Sequence, residues 1–190
     1  MKIKTNKKIL FVCTGNTCRS PMAEMLLRAK IQTLGLTALS VGSAGIQVAP
    51  RSKMNDKTAQ VLLNNGFDVA PFKSKKLTDK MLIESLAIVT MTGAQRDILL
   101  EMRWQAIRRL PESVEGEIEN NIYAFNEFTG YDIIDPYQQG IECYQYVFEL
   151  LQGGMSALLD KLIPENKRKK YIKRKYKSKG EKQNENCGCV

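Results

Sequence analysis

Short apolar runs alternate along the chain with longer stretches in which apolar residues recur at helical spacing. The short runs predict buried strands at residues 9–12, 39–41, 86–91 and 122–125. The longer stretches predict helices at residues 21–34, 55–65, 78–83, 94–104 and 141–163. This alternation predicts an α/β fold: a parallel central sheet of about four strands with helices on both faces, and a ligand site at the carboxyl ends of the strands.

The loop between the first predicted strand and the first predicted helix contains the residues best suited to chemistry. In order along the chain these are Cys13, Thr14, Gly15, Asn16, Thr17, Cys18, Arg19 and Ser20. Ser20 and Pro21 fit the N-cap and the first position of the helix. Free amides at the helix start point toward such a loop, and Gly15 and Asn16 tolerate the left-handed backbone that curls amides around an anion.

Cys13 and Arg19 stand at the two ends of this loop. The field of the loop amides favours the thiolate form of Cys13, which is a nucleophile. The planar guanidinium of Arg19 matches two phosphate oxygens. The loop therefore predicts phosphoryl transfer on cysteine. The alternative is a tight turn in which both cysteines are buried small residues. That alternative does not explain the presence of the Gly15-Asn16 pair or of an arginine, Arg19, at the start of the helix.

The string from Val12 to Glu24, VCTGNTCRSPMAE, resembles the phosphate-binding loop of the low molecular weight protein tyrosine phosphatases. Asp135-Pro136-Tyr137 and the turn at residues 42–45, which contains Ser43, resemble two further elements of that family. The order of these motifs and the lengths between them match the family over residues 8–163, so the resemblance implies a phosphatase domain of that extent.

The resemblance assigns roles to individual residues. Cys13 would attack phosphorus and form a phosphocysteine while Arg19 holds the equatorial oxygens. Asp135 would protonate the leaving atom and then take a proton from the hydrolytic water. The residues expected to bind phosphate or substrate are Thr14, Gly15, Asn16, Thr17, Cys18, Ser20 and Tyr137. Ser20 would also hydrogen-bond the Cys13 sulfur, and Ser43, together with Asn16, would stiffen the loop. No cofactor and no metal are implied, because Arg19 and the loop amides take the place of a cation.

Thr17 bears on which phosphorylated side chain is accepted. In tyrosine-specific members of the family this position usually holds a bulky aliphatic residue. A threonine at this position resembles the bacterial protein-arginine phosphatase subgroup instead. A threonine hydroxyl can hydrogen-bond a guanidinium but gives up apolar contact with a ring. We therefore favour phosphoarginine in proteins as the substrate and keep phosphotyrosine as the alternative, since Tyr137 follows Pro136 as in many tyrosine-specific relatives.

Two other functions compete with that of a phosphatase. Arsenate reductases resemble this loop and fold, but they need two further cysteines after the third helix, and residues 70–100 contain none. A catalytically inactive phosphate-binding module would not need both Cys13 and Asp135. Cys18 carries a separate redox hypothesis: it could capture the sulfenic acid of oxidised Cys13 as a disulfide. The alternative for Cys18 is a packed small residue.

Composition limits the remaining classes. The 190 residues contain no histidine, which excludes Ser-His-Asp and Cys-His catalysis. Five cysteines, with no apolar stretch long enough for a signal peptide or membrane span, favour a cytoplasmic location. We expect a monomer that acts on phosphorylated protein substrates and needs no nucleic acid.

A break in composition falls at Pro164. Residues 164–190 carry ten Lys or Arg and three Glu, and so +7 of the net charge of +9. This segment is expected to be a flexible basic tail outside the phosphatase domain at residues 1–163. It could also bind an anionic partner weakly.

Overall fold

Four short parallel strands form the centre of the structure. The computed structural model describes residues 6–69, 71–110 and 120–172. The strands are β1 (Lys8–Cys13), β2 (Ser40–Gly45), β3 (Ala87–Thr90) and β4 (Ile122–Ala124), and their order in the sheet is β2-β1-β3-β4. In the register of the central strands Val12 pairs with Thr90, and Cys13 pairs with Gly45. The carboxyl end of β1 therefore lies between two neighbouring strand ends.

Helices cover both faces of the sheet. They are α1 (Arg19–Thr33), α2 (Asp56–Asn64), α3 (Asp79–Glu84), α4 (Gly93–Arg108), α5 (Asn126–Thr129), α6 (Ile141–Leu162) and α7 (Glu165–Arg168). The larger core joins β1 side chains such as Phe11 to Met22 of α1 and Phe148 of α6. The smaller core joins Leu10 to Leu99 of α4 on the opposite face. None of the helices within the described ranges is long and apolar enough to cross a membrane.

The predicted fold class is confirmed, and two local predictions are wrong. β2 continues to Gly45 instead of ending at Val41, because pairing with β1 outweighs the weak strand preference of its Gly and Ser residues. Helix α1 begins at Arg19 instead of Pro21, with Cys18 in the N-cap position. Ser20 therefore lies in the first turn of the helix, where its hydroxyl is free to contact Cys13.

The chain continues as ordered structure past Pro164. Helix α7 is followed by a 3₁₀ turn at Lys169–Tyr171. Tyr171 is buried, and its carbonyl accepts a hydrogen bond of 2.8 Å from the Ala38 amide. Tyr171 therefore packs on the domain beyond the predicted boundary at 163. Residues 173–190 of the predicted tail lie outside the described residues.

Candidate active site

Residues 13–19, which we call the 13–19 loop, turn from the end of β1 into the start of α1. Cys13 and Asn16 are buried, with 3% and 0% of their surface exposed. Asn16 has a φ of 54°, in the left-handed region that the sequence predicted for this loop. The loop is therefore a tightly curled segment whose middle residue is enclosed by the protein.

The backbone carbonyls and the backbone amides of the loop differ in their hydrogen bonding. The Cys13 carbonyl accepts from the Ile46 amide at 3.0 Å, and the Thr14 carbonyl accepts from the Gln47 amide at 2.9 Å. By contrast, the amides of residues 14–18 donate to no acceptor in the described part of the chain. A loop whose carbonyls bond outward and whose amides have no protein acceptor is suited to binding an anion.

Asn16 fixes the loop from inside. Its side-chain amide donates to the Ser20 hydroxyl at 2.9 Å, and Ser20 Oγ lies 3.0 Å from Cys13 Sγ. Ser74 Oγ donates to the Asn16 carbonyl at 2.8 Å, and the Lys75 amide donates to Asn16 Oδ1 at 2.8 Å. Because Ser20 accepts from Asn16, its own proton can go to the Cys13 sulfur or to the Ala44 carbonyl, which lies 3.4 Å from Ser20 Oγ.

Gly45 at the end of β2 allows the loop to approach the sheet. A Cβ at this position would lie 2.8 Å from the Thr14 carbonyl oxygen and 2.9 Å from the Asn16 amide nitrogen. Ser43, predicted to stiffen the loop, instead donates to Glu24 Oε2 on α1 at 2.6 Å. Its contact ties β2 to the helix that follows the loop.

Arg19 and Asp135 meet although 116 positions separate them in sequence. The Arg19 guanidinium is buried, donates through Nη1 to the Ile133 carbonyl at 3.3 Å, and forms an ion pair through Nη2 with Asp135 Oδ2. Asp135 Oδ1 accepts from the Tyr137 amide at 3.2 Å. The Asp135 side chain is half exposed, so this carboxylate stands at the boundary between the buried guanidinium and solvent.

These groups surround a pocket of about 280 Å³. Its lining residues are Cys13, Thr14, Gly15, Thr17, Cys18, Arg19, Gln47, Ala49, Ser52, Asp135 and Tyr137. The structure thus brings together the predicted thiol, guanidinium and carboxylate, while the predicted Asn16, Ser20 and Ser43 lie behind the pocket wall. Across the described ranges, no three Cys, Asp or Glu side chains are grouped closely enough to hold a metal ion.

Two contacts at the loop were not foreseen. Gln95 of α4 donates through Nε2 to the Thr14 hydroxyl at 3.1 Å. Cys18 Sγ lies 3.9 Å from the hydroxyl oxygen of Tyr144, which is fully buried on α6. Burial, together with the neighbouring Cys18, raises the pKa of the Tyr144 hydroxyl, which therefore stays protonated beside the thiol. Neither residue carries a sequence signal, because each is one polar side chain within a helix.

The sequence model of the low molecular weight phosphotyrosine protein phosphatase family matches residues 8–170, which is most of the chain. The chain belongs to this family. Its members include the protein-arginine-phosphatase of Geobacillus stearothermophilus, to which it is 33% identical over 83% of this chain and 97% of the relative. A probable low molecular weight protein-tyrosine-phosphatase, EpsP of Ralstonia nicotianae, is 30% identical over 82% of this chain and 96% of the relative.

The fold of this low molecular weight phosphatase is also that of solved relatives. The YwlE arginine phosphatase from Geobacillus stearothermophilus superposes with a TM-score of 0.66 at 30% identity, covering 82% of this chain and 92% of that chain. Membership makes the protein a cysteine-dependent phosphatase of phosphorylated proteins. Relatives named for arginine and for tyrosine phosphatase activity are similar to it at about the same level.

Proposed function

We propose that this phosphatase removes phosphoryl groups from phosphoarginine in proteins, through a phosphocysteine formed on Cys13. The observation that carries the substrate assignment is the chemistry of the pocket wall. Besides Cys13, Arg19 and Asp135, half of the lining residues carry hydroxyl or amide side chains: Thr14, Thr17, Gln47 and Ser52. Tyr137 is the single aromatic residue among the lining positions.

A wall of this kind suits a guanidinium better than a phenyl ring. Phosphoarginine presents several N–H donors, and each needs an acceptor once it leaves water. Thr17 Oγ1 lies 3.5 Å from Cys18 Sγ, so the threonine hydroxyl is held beside the neighbouring Cys18 thiol in the pocket wall. A phenyl ring has apolar contacts available from Ala49, Tyr137 and the threonine methyl groups, but it offers no hydrogen bond to the hydroxyl and amide side chains of the wall.

In the first half-reaction the Cys13 thiolate attacks phosphorus, the S–P bond forms and the P–N bond to the substrate breaks. The leaving guanidine nitrogen takes a proton from Asp135. Arg19 and the amides of residues 14–18 hold the phosphoryl oxygens as their charge redistributes. Phosphate oxygens that accept from the Arg19 guanidinium take the place of the Asp135 carboxylate. Once released from the ion pair, Asp135 takes up a proton from solvent and becomes the acid that the leaving nitrogen needs.

In the second half-reaction Asp135, now a carboxylate, takes a proton from a water molecule that attacks phosphorus. The S–P bond breaks, inorganic phosphate leaves and the Cys13 thiolate is restored. The Ser20 hydroxyl, 3.0 Å from the sulfur, stabilises the thiolate as a leaving group by donating a hydrogen bond.

The substrate assignment is tested with peptides of one sequence that carry either phosphoarginine or phosphotyrosine. We expect the wild type to have the higher kcat/KM for the phosphoarginine peptide. Thr17→Ile should reduce this preference by about tenfold, the value of one hydrogen bond to a charged group. The matched control Thr37→Ile changes an exposed threonine away from the pocket. A wild type that prefers phosphotyrosine, with a preference unchanged by Thr17→Ile, contradicts the assignment.

One observation favours phosphotyrosine as the second candidate. The Tyr137 side chain is 58% exposed at the mouth of the pocket, where it could pack on the ring of a substrate tyrosine. Tyr137→Ala should then lower kcat/KM for the phosphotyrosine peptide far more than for the phosphoarginine peptide. An equal loss with both peptides removes this support for phosphotyrosine.

A further inference from the structure

A second and larger cavity lies beside the active pocket. It measures about 730 Å³, and we call it the basic groove. Its lining includes the cations Arg51, Lys53 and Lys73 and the apolar residues Met54, Val69 and Phe72. Ser52 lines both cavities, so a chain leaving the active pocket can continue into the groove.

The groove carries three exposed cations and no acidic lining residue. Within the described part of the chain, Arg51, Lys53 and Lys73 form no ion pair with a carboxylate. Lys53 and Lys73 are paired directly opposite each other in an isolated antiparallel bridge. Like charges in that arrangement destabilise the fold, and an anion between them would relieve the repulsion.

Apart from Ser52 and Ser74, the remaining side chains that line the groove are apolar. Met54 is buried, and Val69 and Phe72 are partly buried and pack against the main core. Arg51 has a φ of 59°, a conformation that disfavours most residues other than glycine. A cationic side chain is thus kept at a strained position on the rim of an apolar surface.

The groove is fixed relative to the nucleophile. The Ser74 amide donates to the Ser52 carbonyl at 3.0 Å, which joins the two walls. The Ser74 hydroxyl donates to the Asn16 carbonyl at 2.8 Å, which joins the groove to the 13–19 loop. A ligand in the groove is therefore held at a constant position with respect to Cys13.

We propose that the basic groove binds an acidic segment of the substrate protein, next to its phosphorylated residue. This inference rests on the proposed phosphoprotein reaction at Cys13 but not on the choice between phosphoarginine and phosphotyrosine. Carboxylates of the segment pair with the three cations, and its apolar side chains cover Val69 and Phe72. A peptide fits better than a nucleic acid, because the floor is apolar and the adjacent pocket receives a protein side chain.

The kinetic test uses two phosphopeptides that differ only in acidic against amide residues around the phosphorylated position. We expect the wild type to prefer the acidic peptide, chiefly through KM, by about threefold to tenfold, the range expected for a few exposed ion pairs. Lys53→Glu/Lys73→Glu should abolish or reverse this preference and leave turnover of a small aryl phosphate unchanged. Reversing both charges keeps the same like-charge contact across the bridge, so the fold is not penalised further.

Two single variants complete the series. Lys53→Glu places a carboxylate opposite Lys73 and should raise the melting temperature while it weakens the acidic preference, an outcome that separates binding from folding. Lys80→Glu, at an exposed position on α3 outside the groove, is the charge-matched control and should retain the preference. Equal kcat/KM for both peptides with the wild type, or an acidic preference that survives the double substitution, overturns the proposal.

Binding is also measured without turnover, which separates this proposal from the proposed reaction. An unphosphorylated acidic peptide is titrated into the ¹⁵N-labelled protein. We expect the shifted amide signals to cluster at residues 51–54 and 72–74 and the shifts to disappear in the double variant. Shifts elsewhere, or stronger shifts of the same signals by a short oligonucleotide, contradict the proposal even if every phosphopeptide is hydrolysed as expected.

Discussion

Gly45→Ala adds a single methyl group where β2 meets the 13–19 loop. The new Cβ would lie 2.8 Å from the Thr14 carbonyl oxygen, 2.9 Å from the Asn16 amide nitrogen and 2.7 Å from a Val48 methyl carbon. Two of these neighbours are backbone atoms of the loop, so a change of side-chain rotamer cannot relieve the contact. The loop or the end of β2 has to move.

The size of the effect follows from these distances. Non-bonded carbon contacts are favourable at about 3.5 Å, so relief requires a displacement of about 0.6–0.8 Å. A misplacement of 1 Å in an active site can cost about a hundredfold in rate, which makes a tenfold loss of kcat/KM the expected order of magnitude. Overpacking should also cost about 1–3 kcal/mol of folding free energy. That corresponds to a melting temperature lower by roughly 2–10 °C for a chain of this size.

The assay is turnover of a chromogenic aryl phosphate at 25 °C, where both proteins remain folded, together with thermal unfolding followed by circular dichroism. Gly42→Ala is the matched control on the same strand, because its Cβ would meet only side-chain carbons of Lys8 and Leu10 at 3.6 and 3.7 Å. We expect Gly42→Ala to retain kcat/KM. A Gly45→Ala enzyme within twofold of the wild type, or an equal loss in both variants, refutes the proposed role of Gly45.

Three further results are expected. Asp135→Asn should lower kcat by about 10²–10⁴-fold for substrates with a poor leaving group and much less for aryl phosphates with an acidic phenol, and an equal loss on both refutes the proton-donor role. Peroxide treatment should produce a Cys13–Cys18 disulfide that a thiol reductant reverses, while the Cys18→Ser variant should accumulate sulfonic acid on Cys13. Mass spectrometry that finds sulfonic acid on Cys13 and no disulfide in the wild type rules out this protective role of Cys18. Gly153→Ala, whose Cβ would meet no neighbouring atom within 4 Å, should stabilise α6 by about 0.5–1 kcal/mol, whereas Gly154→Ala places a Cβ 2.5 Å from an aromatic ring carbon and should destabilise the protein. Chemical denaturation measures both free energies of unfolding, and changes of the same sign in the two variants contradict the packing at α6.

The order of the elements could be predicted because strands buried on both faces of a parallel sheet are continuous apolar runs. β1 and β3 show this pattern clearly and lie where it predicts. β2 contains SVGSAG, and its extent was underestimated because small residues there are needed for close approach to the loop. The packing of Tyr171 could not be predicted, because this buried aromatic residue lies among lysines and arginines.

The core of the site could be predicted because its parts are local in sequence. Cys13 and Arg19 share one loop, and Asp135 follows from a motif that resembles the family. Ser74 and Gln95 could not be predicted, since they contact the loop across 58 and 81 positions and their residue types carry no periodic or motif signal. Contacts of this kind depend on tertiary packing, which a single sequence does not display.

Trapping the phosphoenzyme is the most direct test of the proposed mechanism. The Asp135→Asn enzyme, slowed in hydrolysis of the intermediate, is mixed with an aryl phosphate that has a good leaving group, quenched and digested for mass spectrometry. We predict one phosphoryl group on the peptide that contains Cys13, and neither phosphorylation nor turnover in Cys13→Ala. A Cys13→Ala enzyme that still hydrolyses the substrate, or a phosphoryl group found on a different residue, contradicts the account.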